Sequence, residues 1–196
     1  MYFYLVKMNS YGNPHENLWE RKNRKILHTT PIFDLVSFDA TAKLKGHTKT
    51  YYALESKSWV NVIAISKSGK IVLVRQYRHG IHEYCLELPG GIVDESGDDA
   101  PLISAKRELA EETGYTSNNW EQIGKVSGNP AVFNNWCYTF LARDAEKTLE
   151  LDWDESEEID IFEEDIASIP GLIRDGVIHH SMMVAAFGFY FYANKS

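Results

Sequence analysis

Residues 88–115 read LPGGIVDESGDDAPLISAKRELAEETGY, and the fold turns on how this stretch is parsed. A short strand over Tyr84–Gly91 runs into Pro89-Gly90-Gly91 and must stop there, because Pro cannot donate to a ladder and glycine weakens a strand. Ile92–Pro101 is acidic and contains Gly97, so it is expected to form a loop. From about Leu102 the apolar residues Leu102, Ala105, Leu109 and Ala110 recur at helical spacing, and Gly114 ends the run. On that helix Glu108, Glu111 and Glu112 stand at i, i+3 and i+4, which stacks their carboxylates on one face. Exposed like-charge pairs so placed cost roughly 0.2–0.5 kcal/mol each. A hard divalent cation offsets that repulsion, since Mg²⁺ takes oxygen ligands. The glycines upstream let backbone groups approach an ion or a phosphate closely. Arg107 is expected to point to the side of the carboxylate face and to pair with an upstream acid such as Asp99, pinning the loop to the helix.

Outward from this stretch, Val60–Ser66 (VNVIAIS) and Ile71–Arg75 (IVLVR) flank Lys67-Ser68-Gly69-Lys70. Two apolar β-branched runs around a turn carrying Gly predict a hairpin. Before them, residues 1–20 form a loosely specified lead-in, and short β-type runs lie between Lys25 and Tyr52. Beyond the helix, strands are expected at Trp120–Val126, Trp136–Ala142 and Ile159–Phe162. Asp144–Glu158 is expected to be a long acidic loop, and Glu163–Asp175 a helix ended by Gly176. A last helix from about His180 to Tyr192 carries Met, Ala and aromatic residues in a stripe that suits core packing. Strands mixed with a few helices imply a layered α+β or α/β domain.

The chain has 196 residues, 44% of them hydrophobic, which suits one compact domain with a small N-terminal extension. Its formal net charge of −8 argues against wrapping a nucleic acid, although a small phosphorylated ligand can still bind where a metal ion or an arginine supplies positive charge. The acids cluster at Asp94–Asp99, Glu108–Glu112 and Asp152–Asp165. Cys85 and Cys137 make neither a disulfide framework nor a zinc pattern, and both are expected to be buried. No signal-peptide pattern and no apolar stretch near 18 residues appears, so a soluble, cytoplasmic protein without a membrane partner is expected.

The quoted stretch resembles the Nudix box, G-x5-E-x7-R-E-U-x-E-E-x-G-U with U a bulky apolar residue. Residues 107–115 (RELAEETGY) fit its second half, with Tyr115 as the final U, and Gly91 is its first glycine. Asp99 takes the place of the first glutamate, eight residues before Arg107. The loop from Gly91 carries about two extra residues relative to the pattern. Residues 71–78 and 86–91 (IVLVRQYR, LELPGG), residues 129–142 and the run ESEEI at 155–159 are similar to the ADP-ribose pyrophosphatase branch of that family.

The resemblance implies an α/β/α sandwich with a mixed sheet, spanning residues 58–196. It also implies an N-terminal β extension, residues 1–57, that supports a homodimer. Glu108 and Glu112 would be the prime metal ligands, with Glu111 bridging or supporting and the Gly90 carbonyl completing the shell. Two or three Mg²⁺ ions, or Mn²⁺, are implied per site. The general base would lie in the late acidic loop, Glu155 first and Glu157 second, with Glu111 next. Arg78, and less so Arg75, would grip the diphosphate, and Glu87 would neighbour the metal or substrate unless it serves a structural ion pair. Phe33 and Tyr51 stand where related enzymes stack the base, or else pack in the core. Gly91, Asp99, Arg107 and Gly114 would be structural. His179 and His180 read as capping or surface residues. The expected activity is hydrolysis of a nucleoside diphosphate sugar, ADP-ribose foremost. The rivals are GDP-mannose, a dinucleoside polyphosphate or a nucleoside triphosphate as substrate, and a nucleotide-binding regulator without catalysis.

Overall fold

The computed structural model describes residues 18–151 and 158–193. The chain divides into two compact units, Met1–Glu55 and Ser56–Ser196. In the smaller unit, β1 (Trp19–Thr29), β2 (Asp34–Ala42) and β3 (Thr48–Glu55) form an antiparallel sheet in the order β1-β2-β3. Within this unit Arg24 forks onto Glu55, and Trp19, Phe38 and Tyr51 make ring contacts at 6.1–6.3 Å.

The larger unit is built on a mixed sheet of β4 (Trp59–Ser66), β5 (Lys70–Arg78), β6 (Glu83–Glu87), β7 (Tyr115–Thr116), β8 (Asn119–Val126), β9 (Cys137–Lys147) and β10 (Asp160–Asp165). Its path runs β10-β5-β4-β9-β7, with β6 also on β5 and β8 also on β9. The expected hairpin is β4–β5, and its turn needs Gly69, which sits at φ +82°. The parallel pair is β4 with β9, and that pairing makes the sheet mixed.

Alternation along these strands sends side chains to opposite faces. Val60, Val62 and Ala64 pack under Ala105 and Leu109 of α1 (Ala100–Thr113). Ile63, Leu73 and Leu141 pack under Met183, Ala186 and Phe187 of α3 (Ser181–Ala193). Fully burying side chains of this size contributes about 1.5–3 kcal/mol each. Helices therefore cover both faces, which is the expected α/β/α sandwich, and the Met-rich stripe of the last helix is core. Cys85 and Cys137 are both buried free thiols.

Several boundaries differ from expectation. The first helix starts at Ala100 rather than Leu102, because Pro101 is well suited to a first helical turn. Glu163–Asp165 is strand rather than helix: β10 stays paired with β5 through Asp165↔Lys70. A 3₁₀ turn (Ile166–Ser168) and the short α2 (Ile169–Arg174) follow. Strand β9 continues through Lys147, so the acidic loop begins later than Asp144.

Candidate active site

The Pro-Gly-Gly turn is clamped between strand β4 and helix α1. The Val62 and Val60 amides donate to the carbonyls of Pro89 and Gly91 at 2.9 Å, on either side of Gly90. The Gly90 N–H donates to Glu112 Oε2 at 2.8 Å. A side chain at Gly90 would collide with the Val60 carbonyl, and one at Gly91 with the Glu108 carboxylate. Gly90 is therefore required by close approach to backbone, whereas a side chain at Gly91 would displace the Glu108 carboxylate. Glu112 is buried, at 4% exposure, and the Glu108 side chain is 13% exposed. Gly114, at φ +72°, caps the helix through its N–H to Ala110.

Arg107 lies among the carboxylates, not beside them. Its guanidinium donates to Glu111 Oε2 and Glu108 Oε1, each at 2.7 Å, and to the Ile92 carbonyl at 3.3 Å. Burial opposes its charge, but Glu108 and Glu111 outweigh burial and hold its pKa above the ordinary value. The loop acid it approaches is Asp94, at 3.8 Å, not Asp99. Asp99 is the N-cap residue of α1, eight residues before Arg107. At 1.5 Å per residue that is roughly 12 Å along the axis, beyond the reach of a contact. Asp94 also pairs with Lys57.

Three oxygen-bearing side chains and a Gly-Gly cradle suit a hard cation in chemical type. With Arg107 bonded to two of the three, no cluster of three or more acids, histidines or cysteines stands ready to hold a metal among the described residues. Glu155 and Glu157 lie outside the described residues.

On the other side of the turn a cleft of about 370 Å³ opens, lined by Trp59, Ile92, Met182 and Met183 together with Arg78, Glu87 and His180. Glu87 is fully buried, and Arg78 forks onto it with Nε–Oε1 2.8 Å and Nη2–Oε2 2.6 Å. That bond, more than burial opposes it, holds the Arg78 pKa above its ordinary value, and Glu112 adds to the effect through space. Glu87 is thus both an ion-pair partner and part of the cleft. Arg75 turns instead to Asp160 on β10, where both side chains are about half exposed. Phe33 and Tyr51 belong to the smaller unit: Phe33 accepts from the Thr30 hydroxyl at 2.7 Å, and Tyr51 stacks on Phe38.

Two cleft residues escaped the sequence reading. Trp59 opens β4 and is met edge-on by Phe133 at 6.1 Å. His180 does cap α3, its carbonyl accepting from the Met183 and Val184 N–H groups at 3.0 and 3.1 Å, but its ring is half-buried in the cleft rather than on the surface; burial lowers its pKa, and its Nδ1 is buried without a hydrogen-bond partner among the described residues.

The NUDIX domain family model matches residues 57–183. The chain belongs to the NUDIX family. It is 31% identical over 127 residues to an ADP-ribose pyrophosphatase of Mycobacterium tuberculosis, covering 65% of this chain and 60% of that one. Similarity to an ADP-ribose pyrophosphatase of Bacillus subtilis is 36% over 103 residues, 51% and 55% of the two chains. A GDP-mannose pyrophosphatase of Cronobacter sakazakii is 29% identical over 160 residues, 76% and 82% of the chains. A crystal structure of an ADP compounds hydrolase shares the fold, with a TM-score of 0.79 at 22% identity over 93% of this chain and 97% of that one. The resemblance to the ADP-ribose pyrophosphatase branch is thereby borne out, and with it the reading of this NUDIX chain as a pyrophosphohydrolase.

Proposed function

We propose that this NUDIX protein hydrolyses the diphosphate linkage of a nucleoside diphosphate sugar, ADP-ribose to AMP and ribose 5-phosphate foremost. The observation that carries this reading is the Gly90-Gly91 turn pressed against Glu108 and Glu112, with the Arg78–Glu87 pair beside it. Glu108, Glu112 and the Gly90 carbonyl would hold Mg²⁺ or Mn²⁺, two or three ions in all, with Glu111 in support. Bound there, the metal supplies Lewis-acid polarisation of the phosphoryl oxygens and acidifies water.

The chain's own groups do the rest. Buried Glu87 occupies one edge of the Arg78 guanidinium and so fixes the direction of its remaining N–H groups, which suit a phosphate. Arg107 holds the Glu108 and Glu111 carboxylates in place through one hydrogen bond to each. Glu155 takes the proton from the attacking water, with Glu157 and then Glu111 as alternates.

A second reading, GDP-mannose as substrate, is favoured by the similarity to a GDP-mannose pyrophosphatase over 76% of the chain. A panel of ADP-ribose, GDP-mannose, a dinucleoside polyphosphate and a nucleoside triphosphate, each with Mg²⁺ and both products quantified, separates these. ADP-ribose is expected to have the highest kcat/KM; a higher value for another member overturns the assignment, and no turnover of any of them points to a nucleotide-binding regulator.

A homodimer built through the smaller unit is part of the proposal. Strand β1 is exposed along its whole length, Ile26 and Leu27 included, more apolar surface than a free edge strand carries safely. Light scattering is expected to give twice the chain mass, and a fully active monomer contradicts it. The free thiols Cys85 and Cys137 support a reducing, cytoplasmic setting.

A further inference from the structure

Leu88 leads into Pro89-Gly90-Gly91 and is only 1% exposed, so its N–H needs an acceptor inside the protein. The β5–β6 register ends one residue earlier, at Val74↔Glu87. The acceptor is a sulfur: the Leu88 N–H donates to Met183 Sδ at 3.1 Å. A thioether is a weak acceptor. Leucine would fill the same space beside Ile63, Leu73 and Phe187 and accept nothing. Packing alone therefore does not call for a sulfur here.

The start of α3 puts Met183 in position. Its own N–H donates to the His180 carbonyl at 3.0 Å, which sets the first turn of the helix, and the residue is buried. The glycine turn is thereby tied from three directions. Strand β4 holds the Pro89 and Gly91 carbonyls through the Val62 and Val60 N–H groups, and α1 holds the Gly90 N–H through Glu112 Oε2. Helix α3 holds the Leu88 N–H through Met183 Sδ. Pro89 has no N–H of its own to offer. Without the sulfur the Leu88 N–H is a buried orphan, and the segment must shift to satisfy it. Gly90 lies two residues further on. Mg²⁺ demands near-ideal ligand geometry, and losing a group that holds a ligand in place typically costs about 10–100-fold in affinity or activity.

We propose that Met183 is a positioning residue for the cation: its sulfur, through the Leu88 N–H, holds the turn whose Gly90 carbonyl would join Glu108 and Glu112 around the ion. This rests on the reading of those three groups as the ligands.

The test is Mn²⁺ binding to the metal-free full-length protein, read by electron paramagnetic resonance without substrate, together with the Leu88 amide proton shift by NMR before any metal is added. Wild type is expected to bind Mn²⁺ at a site that Glu112→Gln removes. Met183→Leu, of similar volume and without an acceptor, is expected to bind Mn²⁺ about 10-fold more weakly and to move the Leu88 amide proton upfield. Norleucine in place of all four methionines exchanges each sulfur for a methylene at nearly unchanged shape, and is expected to do the same. Selenomethionine, which keeps an acceptor, is expected to match wild type. Phe187→Leu loosens the packing of α3 on the same core but leaves the sulfur, and is expected to bind Mn²⁺ as wild type does. If Met183→Leu does not fold, the norleucine protein decides. Wild-type Mn²⁺ affinity in the sulfur-free proteins overturns the proposal, and so does an unmoved Leu88 amide. Equal weakening by Phe187→Leu overturns it too, by assigning the effect to packing. A wild type without an Mn²⁺ site that depends on Glu112 overturns the ligand reading itself, so the two failures are told apart.

Discussion

The two faces of the large sheet meet at Gly90-Gly91 and differ in kind. On the α1 face the turn touches Glu108 and Glu112, with Arg107 and Glu111 beside them. On the α3 face it opens onto Trp59, Met182, Met183 and a neutral His180. Four charged side chains crowd the first side, where a cation can be held, whereas on the second a single ion pair, Arg78–Glu87, stands among apolar walls and offers its free N–H groups to a phosphate. Substitutions on the first face should act on kcat, and those on the second on KM.

The largest expected effect is Glu112→Gln. The amide oxygen still accepts from Gly90 N–H, so the fold should persist while kcat falls at least about 10²-fold through lost charge for the cation. Steady-state kinetics with circular dichroism checks it, and near-normal turnover removes Glu112 from the metal set. Glu155→Gln is expected to lower kcat by about 10²-fold or more with KM much less changed, as for a lost general base; if Glu155→Gln and Glu157→Gln are both nearly fully active, the base lies elsewhere, with Glu111 next.

Arg75 and Arg78 repeat the contrast within one strand. Removing Arg78 strands a fully buried carboxylate, so Arg78→Ala should cost roughly 2–4 kcal/mol, short of a fully buried pair because the arginine is 41% exposed. Arg75→Ala loses an exposed pair worth about 0–1 kcal/mol. Urea unfolding of both variants decides it, and equal losses would mean that burial of Glu87 does not set the energetics.

A smaller effect concerns pH. His180 has a folded pKa below its ordinary value, so the unfolded chain binds the extra proton. Its contribution to stability is present above the ordinary histidine value, about 6.5, and is lost as pH falls through it toward the folded value. The drop in urea midpoint between pH 7 and 5 should therefore be smaller in His180→Gln than in wild type; an equal drop assigns the acid sensitivity to other groups.

What was legible in the sequence was what local spacing determines. Glu108, Glu111 and Glu112 declare a face by their own separation, and Gly90, Gly91 and Gly114 mark a turn and a helix end wherever the chain goes next. Arg107 was misjudged because its partner depends on where the helix begins: once Asp99 joins α1 as its N-cap, distance along the axis excludes it and Asp94 on the loop remains. His180 was illegible for a longer-range reason. Its surroundings, Arg78 and Glu87, arrive from strands about a hundred residues earlier, and nothing in HHSMM distinguishes a surface histidine from one walled into a cleft. Trp59 was hidden in the same way, as one more apolar residue at the head of a strand.

The central claim is that this chain cleaves a diphosphate with a cation held at the α1 carboxylates. It is tested most directly by stripping the wild-type protein with EDTA, adding ADP-ribose, and then restoring Mg²⁺ while AMP and ribose 5-phosphate are both measured. The account predicts no turnover before Mg²⁺ and equal amounts of the two products after it. Undiminished turnover in EDTA, or none after Mg²⁺ is restored, would contradict it.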